Sequence, residues 1–498
     1  MSEIHLNHLI AGFVADVGED VVVRGIESDS RCVKQGDVFV AYPGLTVDGR
    51  DYIQDAIAKG AAAIIYEMRE DKSISSNGAV PFIPVSNLQH QLGNIAARFY
   101  GNPSQSMRLI GVTGTNGKTT VSQFIAQSLS HHDIRCGVMG TLGNGFLPNL
   151  QKTTHTTLDP IQFQKTLARL RDEGAKAIAL EVSSHALDQG RVEAAQFDIA
   201  VLTQLSRDHL DYHGDMQRYA NAKELLFQQS GLRYGVVNLD DDLGRKIAKT
   251  YQRQLKIIGY SAENMHFDVS AVVAKTIKAT QQGFDIVVRS PWGEGQFSTP
   301  LLGRFNISNL LAVAAVLSLF EIPFDDVLSG LSTLRSVKGR MQRYGNLNQP
   351  QVIVDYAHTP DALQKALCAL REHCAGKLYC VFGCGGDRDR GKRPEMAAIA
   401  ERYADVIVMT NDNPRTEAPE KIIEDMQSGL TRSWNAKVEL DRAAAIRYAV
   451  QSAGVDDIVL IAGKGHETTQ TIGKTLLPFD DGKIVEETLA HYQEFKKQ

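Results

Sequence analysis

Apolar Leu109, Ile110 and Val112 predict a buried strand, the glycine-rich turn GTNGKTT follows it, and Val121–Leu129 carries a helical pattern. Upstream, the runs VVVRGI, DVFVAY, AAAIIYE and FIPV read as short strands, and Asn87–Tyr100 reads as a helix leading into the joint GNPSQS. Downstream, AIALEV and IAVLTQL alternate with helical stretches, which predicts a mainly parallel, helix-covered sheet. Gly303–Leu319 reads as a small-residue-rich helix, and SVKGRMQRY marks a boundary. Beyond it QVIVDY, KLYCVFG, DVIVMT and DIVLIAG alternate with helices in a doubly wound pattern. The expectation is an α/β protein of three domains, 1–88, 89–337 and 338–498, as a chain of 498 residues suggests at about 150 residues per domain.

Composition narrows the partners. A net charge of −5 supplies no general attraction for nucleic acid or an anionic membrane, so an anionic substrate must meet local basic residues. No apolar run reaches the ~18 residues of a membrane span. The N-terminal stretch lacks a basic region and a cleavage site, so a cytoplasmic protein without membrane insertion is expected. Cys368, Cys374, Cys380 and Cys384 lie close in sequence but form no CxxC pair. Cys380 falls in an apolar run and Cys368 on the apolar side of a helix, so small buried side chains are expected there rather than a metal site.

Candidate chemistry gathers where strands end. The turn after Thr113 aims backbone N–H groups into one concavity at a helix N-terminus, an anion site. There Gly114 and Gly117 permit close approach to phosphate, Lys118 reaches the terminal phosphates, and the Thr119 hydroxyl suits magnesium. The usual phosphate-loop pattern would place glycine at 112, where this chain has Val112, so an ordinary strand-to-helix turn also explains the segment. Glu181 ends the run AIAL, and with Thr119 and nucleotide oxygens it would suffice for one magnesium; a solvated strand end is the alternative. The threonines and His155 of KTTHTTLDP suit a polar sugar or peptide, or merely a turn. Asp208, His209, Asp211 and His213 resemble a metal cluster by composition, and loop polarity or helix capping accounts for them equally. Lys223, read as a bare helix lysine, belongs on the surface. In the last domain Asp355 ends a strand where a carboxylate accepts from ribose hydroxyls, and Arg388 and Lys392 are the anion-binding residues of GCGGDRDRGKRP. In DNPR, Pro414 stiffens a turn while Asn413 and Arg415 offer an amide and a bidentate fork.

SDSR with GDVFVA and DGRDYI, GTNGKTT, KTTHTTLDP, SRDHLD with AKELL, GRM, DNPR and AGKGHE occur in the order found in the Mur ligases, which the chain resembles over nearly its whole length. The resemblance implies a small N-terminal α/β domain, a central P-loop-type domain with a mainly parallel sheet, and a C-terminal Rossmann-like domain. It implies ATP bound by Gly114, Thr115, Asn116, Gly117, Lys118, Thr119, Thr120, Asn306 and Asp355. It gives Ser28, Ser30, Leu45, His155 (where asparagine is more usual), Thr156, Thr157, Ser183, Gln189 and Arg191 to a UDP-muramoyl dipeptide. Magnesium falls to Thr119, Glu181, His209 and Lys223, the last as a carbamate formed with carbon dioxide. Lys118, Lys223, Arg340 and Lys392 become catalytic. DNPR resembles the signature of the members that add meso-diaminopimelate, implying that Arg388, Asp412, Asn413, Pro414, Arg415, Gly463 and Glu467 hold that substrate. An arginine facing the far carboxylate discriminates through a pair that lysine, lacking this group, cannot form. The implied activity is ATP-dependent amide formation in peptidoglycan precursor synthesis by a monomer. A folylpolyglutamate synthetase-like ligase and a non-catalytic nucleotide-binding regulator are the alternatives.

Overall fold

The strand Arg108–Thr113 is buried from Leu109 onward and lies between two parallel neighbours, Ala177–Glu181 and Ile199–Leu202. The parallel order is completed by Cys136–Gly140 on one side and by Tyr234–Asn238 and Lys256–Ser261 on the other. Val112 sits opposite Glu181 and Thr113 opposite Leu202, so the phosphate-loop turn, Glu181 and the loop after Leu202 leave the sheet at one end. The expected helix runs over Lys118–His131, three residues earlier than its apolar pattern alone indicates. The computed structural model describes all residues except 1–2, 15–19, 45–46, 70, 72–73, 75–77, 79, 154, 281, 433–435 and 496–498.

The chain divides into two compact units, Met1–Tyr260 with Phe267–Ala271 and Ala315–Phe320, and Ser261–His266 with Val272–Ala314 and Glu321–Gln498. The first unit also holds a four-stranded parallel sheet, Gly25–Glu27, Asp37–Ala41, Ala63–Glu67 and Phe82–Val85, on which the apolar face of helix Leu88–Phe99 packs. A hairpin, Gly143–Phe146 with Asn149–Gln151, adds antiparallel strands beside Cys136–Gly140.

From Val272 onward the second unit contains an antiparallel run, built of the strands Ala271–Thr280, Gly283–Ser290 and Gly293–Thr299, that the hydrophobic pattern did not announce. Its six-stranded sheet orders Gln342–Tyr344, Gln351–Asp355, Ile458–Ala462, Leu378–Phe382, Val406–Met409 and Ala436–Val438, all parallel except the first. The carboxyl ends of its strands deliver Asp355, the 383–392 loop, DNPR and the 463–467 turn to one side, where function gathers in open α/β sheets. Cys380 and Cys384 are buried as expected, but Cys368 is exposed, because helix Pro360–Arg371 turns Leu363, Ala366, Leu367 and Leu370 inward instead. Among the described residues, no helix is long and apolar enough to cross a membrane.

Candidate active site

The turn after Thr113 closes tightly over the neighbouring strand end. Gly114 has φ 143°, and a Cβ there would lie 1.8 Å from Thr203 Oγ1, so a side chain is excluded by contact as well as by dihedral angle. Gly117, at φ 89°, begins the helix. Thr203 Oγ1 donates to Asn116 O at 2.6 Å, and Thr115 N to Gln204 O at 2.7 Å, fastening the loop. Lys118 folds across it, donating to Gly114 O at 2.8 Å and Thr115 O at 2.9 Å. Thr120 is buried in the first turn of the helix.

Glu181 is buried at its strand end. Oε2 accepts from the hydroxyls of Thr119 (2.8 Å) and Thr141 (3.0 Å), and Oε1 from Thr141 N (2.8 Å). Thr156 Oγ1 lies 3.1 Å from Thr141 Oγ1, and Thr157 donates to the Glu181 carbonyl at 2.9 Å while accepting from Ser183 N at 3.1 Å. Arg191 donates to Thr157 O and to Gln189 Oε1, whose amide nitrogen reaches Tyr212. The Ser28 hydroxyl bonds Tyr42, whose phenol is held above its ordinary range by burial and by the charge of Asp159, and which also feels Arg191. Thus Ser28 and the 157–191 residues belong to one neighbourhood. Ser30 is buried, its carbonyl taking Lys59 Nζ at 3.0 Å, and His155 is exposed, its carbonyl accepting from Thr153. Leu45 lies outside the described residues.

Contrary to the bare-helix reading, Lys223 is 1 % exposed. Its Nζ donates to Gly114 O at 2.8 Å and stands 4.3 Å from the Tyr219 ring centroid. Burial, reinforced by the neighbouring ammonium of Lys118, holds this amine well below the ordinary lysine range. Tyr219 also touches Thr115 Oγ1 at 3.1 Å, and its ring lies 6.1 Å from that of His209. His209, at φ 52°, pairs with Asp208. The four-residue acidic and histidine set suggested by composition does not form: among the described residues no three His, Cys, Asp or Glu side chains are placed to hold a metal. His213 instead bonds Ser184 Oγ at 2.9 Å.

The donors that remain, one hydroxyl and one buried carboxylate, are hard oxygens at a helix N-terminus. They suit magnesium completed by phosphate oxygens and water better than a full protein cage. Lys223 meets the requirement of a carbamate, a buried amine with its proton disfavoured.

In the second unit, Asp355 accepts from Met341 N at 2.7 Å and Ala357 N at 2.9 Å, which sets both its oxygens to pinning turns. Burial raises its pKa and Arg340 opposes this. The Arg340 guanidinium lies 4.7 Å over the Tyr356 ring, whose other neighbours are His358 and His466. Lys392 donates to His358 O at 2.9 Å. Asn306 is buried, its amide donating to Leu302 O at 2.8 Å and accepting from Asn309. Arg388 is exposed on a loop held by Arg393, a fully buried guanidinium that binds Glu417, Asp425 and Gly385 O.

DNPR follows the strand Val406–Met409 as a tightly held turn. Arg415, half-buried at φ 52°, donates Nη1 to Gly386 O at 2.7 Å, and its backbone is held by Thr471 O and Gly473 N. Pro414 is buried. Asn413 Nδ2 donates to Glu467 Oε2 at 3.0 Å. A Cβ on Gly463 would lie 2.7 Å from Asp412 Oδ2, and burial pushes the Asp412 carboxyl up against the pull of Arg442. Thr141, Tyr219, Lys464 and Arg393 escaped the sequence reading. Thr141, Tyr219 and Lys464 each reach a site residue remote in sequence, Glu181, Thr115 and Asn413, and Arg393 holds the loop that carries Arg388, which no local spacing signals.

Three family descriptions match the chain in order: Mur ligase family, catalytic domain, at 22–100; Mur ligase middle domain, at 112–317; and Mur ligase, glutamate ligase domain, at 339–465. The chain is 62% identical over 483 residues to the UDP-N-acetylmuramoyl-L-alanyl-D-glutamate–2,6-diaminopimelate ligase of Coxiella burnetii, covering 97% of this chain and 98% of that one. It is 51% identical to the ligase of the same name from Pseudomonas aeruginosa, covering 95% and 96%. A solved structure of a ligase of that name superposes with a TM-score of 0.72 at 38% identity, covering 95% of each chain.

Proposed function

The chain belongs to the Mur ligase family, and from that premise we propose that it joins meso-diaminopimelate to the D-glutamate side-chain carboxylate of UDP-N-acetylmuramoyl-L-alanyl-D-glutamate at the expense of ATP. ATP phosphorylates that carboxylate, the diaminopimelate amine attacks the acyl phosphate and loses its proton, and the tetrahedral intermediate collapses to amide and phosphate, with ADP as the other product. The reaction runs in the cytoplasm, where it supplies peptidoglycan synthesis and so cell shape and division.

Two anions must meet, so charge neutralisation dominates the demand on the protein. Lys118, Arg340 and Lys392 supply cations to the phosphates, and the loop 114–120 supplies N–H donors. Thr119 and Glu181, with His209 and a carbamylated Lys223, would hold magnesium, which when bound screens phosphate charge. Ser28, Ser30, Leu45, His155, Thr156, Thr157, Ser183, Gln189 and Arg191 hold the UDP-sugar peptide.

The observation that carries the reading is Arg415. Its guanidinium is half-buried, spends one hydrogen bond on Gly386 O, and ends the turn whose Asn413 reaches Glu467. A fork beside an acid matches an amino acid that carries a carboxylate and an ammonium at its far end. Phosphate release from ATP in the presence of UDP-muramoyl dipeptide tests it: diaminopimelate should stimulate release and lysine should not. Equal turnover with lysine overturns the specificity, and no release with diaminopimelate overturns the function.

A further inference from the structure

Lys464 is completely enclosed, 0 % exposed, and none of the roles above uses it. It lies between Gly463 (φ 116°) and Gly465 (φ 52°), two positions whose backbone turns the intervening side chain inward. Its ammonium donates to Asn413 Oδ1 at 3.1 Å and to Glu467 Oε2 at 2.9 Å. Asn413 Oδ1 also accepts from Thr471 N at 2.9 Å. With two donors on that oxygen, the amide presents its nitrogen to Glu467 Oε2. One carboxylate oxygen of Glu467 therefore takes two hydrogen bonds, while Oε1 takes none from any described residue. The Glu467 side chain keeps 32% of its surface exposed.

We propose that Lys464 is a positioning residue for the incoming amino acid: it clamps Oε2 of Glu467 and the oxygen of Asn413, so that Oε1 is presented to the far ammonium of the diamino acid. This rests on the reading of 412–467 as the amino-acid pocket. The ammonium acts through its two partners and does not touch substrate. Burial pushes the Glu467 carboxyl up, and the bonds from Lys464 and Asn413 outweigh it, so the acid stays charged for a cationic ligand.

The test is a double-mutant cycle on the full-length enzyme with ATP and UDP-muramoyl dipeptide. Lys464→Met should raise the KM for diaminopimelate about 30-fold and leave the KM for ATP unchanged. If Lys464 works through Glu467, the pair Lys464→Met with Glu467→Gln costs no more than Glu467→Gln alone. An unchanged KM, or losses that add, overturns the proposal. Should Lys464→Met not fold, the cycle is read on Lys464→Gln with Glu467→Gln, where additivity again overturns it. Wild-type enzyme that fails to respond to diaminopimelate refutes the underlying function. A responsive wild type with an unaffected Lys464→Met refutes this inference alone.

Discussion

Lys223 and Lys464 both bury an amine beside a loop at the carboxyl end of a parallel sheet, and they differ in the charge each one meets. Lys223 faces a carbonyl oxygen, an aromatic ring and a second ammonium, that of Lys118, with the Asp208 carboxylate a smaller, opposing influence. Lys464 faces a carboxylate and an amide oxygen. Burial penalises any charged amine, and only an adjacent anion repays it. The phosphate-loop region thus keeps an amine whose proton is easily lost, the state that addition of carbon dioxide requires. The 412–467 region sets an amine against a carboxylate. Burial alone assigns neither role.

Replacing each residue separates these roles by size of effect. Lys223→Ala should lower kcat about 10³-fold, with partial rescue by short carboxylates that restore an anion beside the loop. Activity that survives the change removes Lys223 from the chemistry. Arg415→Ala should cut the preference for diaminopimelate over lysine about 10²-fold, measured as the ratio of kcat/KM values, since the guanidinium is half-buried and its loss leaves the far carboxylate without its fork. A preference that persists assigns the far carboxylate to another cation, with Arg388 the first to test.

Stability should invert between the two lysines. At neutral pH the unfolded chain holds a proton on residue 223 that the folded state resists, because the folded pKa is lowered. What this group gives stability is present only above the ordinary lysine range and is lost as pH falls below it. Lys223→Met removes that burden and should leave the urea midpoint unchanged or higher. Lys464→Met strands Glu467 and should cost about 2 kcal/mol, less than a fully buried pair because that carboxylate is partly exposed. Equal losses in both variants would erase the distinction.

Much of this was legible in the sequence because it is local. A strand, a glycine turn and a helix follow one another from Leu109 to His131, and the glycines stand where positive φ and close contact demand them. Glu181 and DNPR sit at strand ends, which alternation alone predicts. The burial of Lys223 followed from the family pattern and from nothing in the helix that carries it. Tyr219 and Thr141 were invisible because their partners lie 104 and 40 residues away, and Lys464 because one of its two partners, Asn413, lies 51 residues away although Glu467 is only three residues on. The antiparallel strands between Ala271 and Thr299 were missed because their exposed faces dilute the apolar signal. Asp355 shows the same limit at one residue: its place at a strand end was predictable, its two backbone donors were not.

The smallest expected effect tests whether a nearby cation silences a base in the second region as Lys118 does in the first. His466 packs on Tyr356, and burial, assisted by the charge of Arg340, pushes its pKa down to about 4. A lowered folded value means that stability from this group is complete above the ordinary histidine range and is lost as pH falls through it toward the folded value. In the folded protein the imidazole resonances of His466 should hold the neutral position from about pH 8 to pH 5. Arg340→Ala should move the His466 midpoint upward and still leave it short of the ordinary value, because burial is the larger cause. A full return would make the guanidinium the dominant influence, and a wild-type midpoint near 6.5 would mean that water reaches this imidazole, so that the likeness to Lys223 fails.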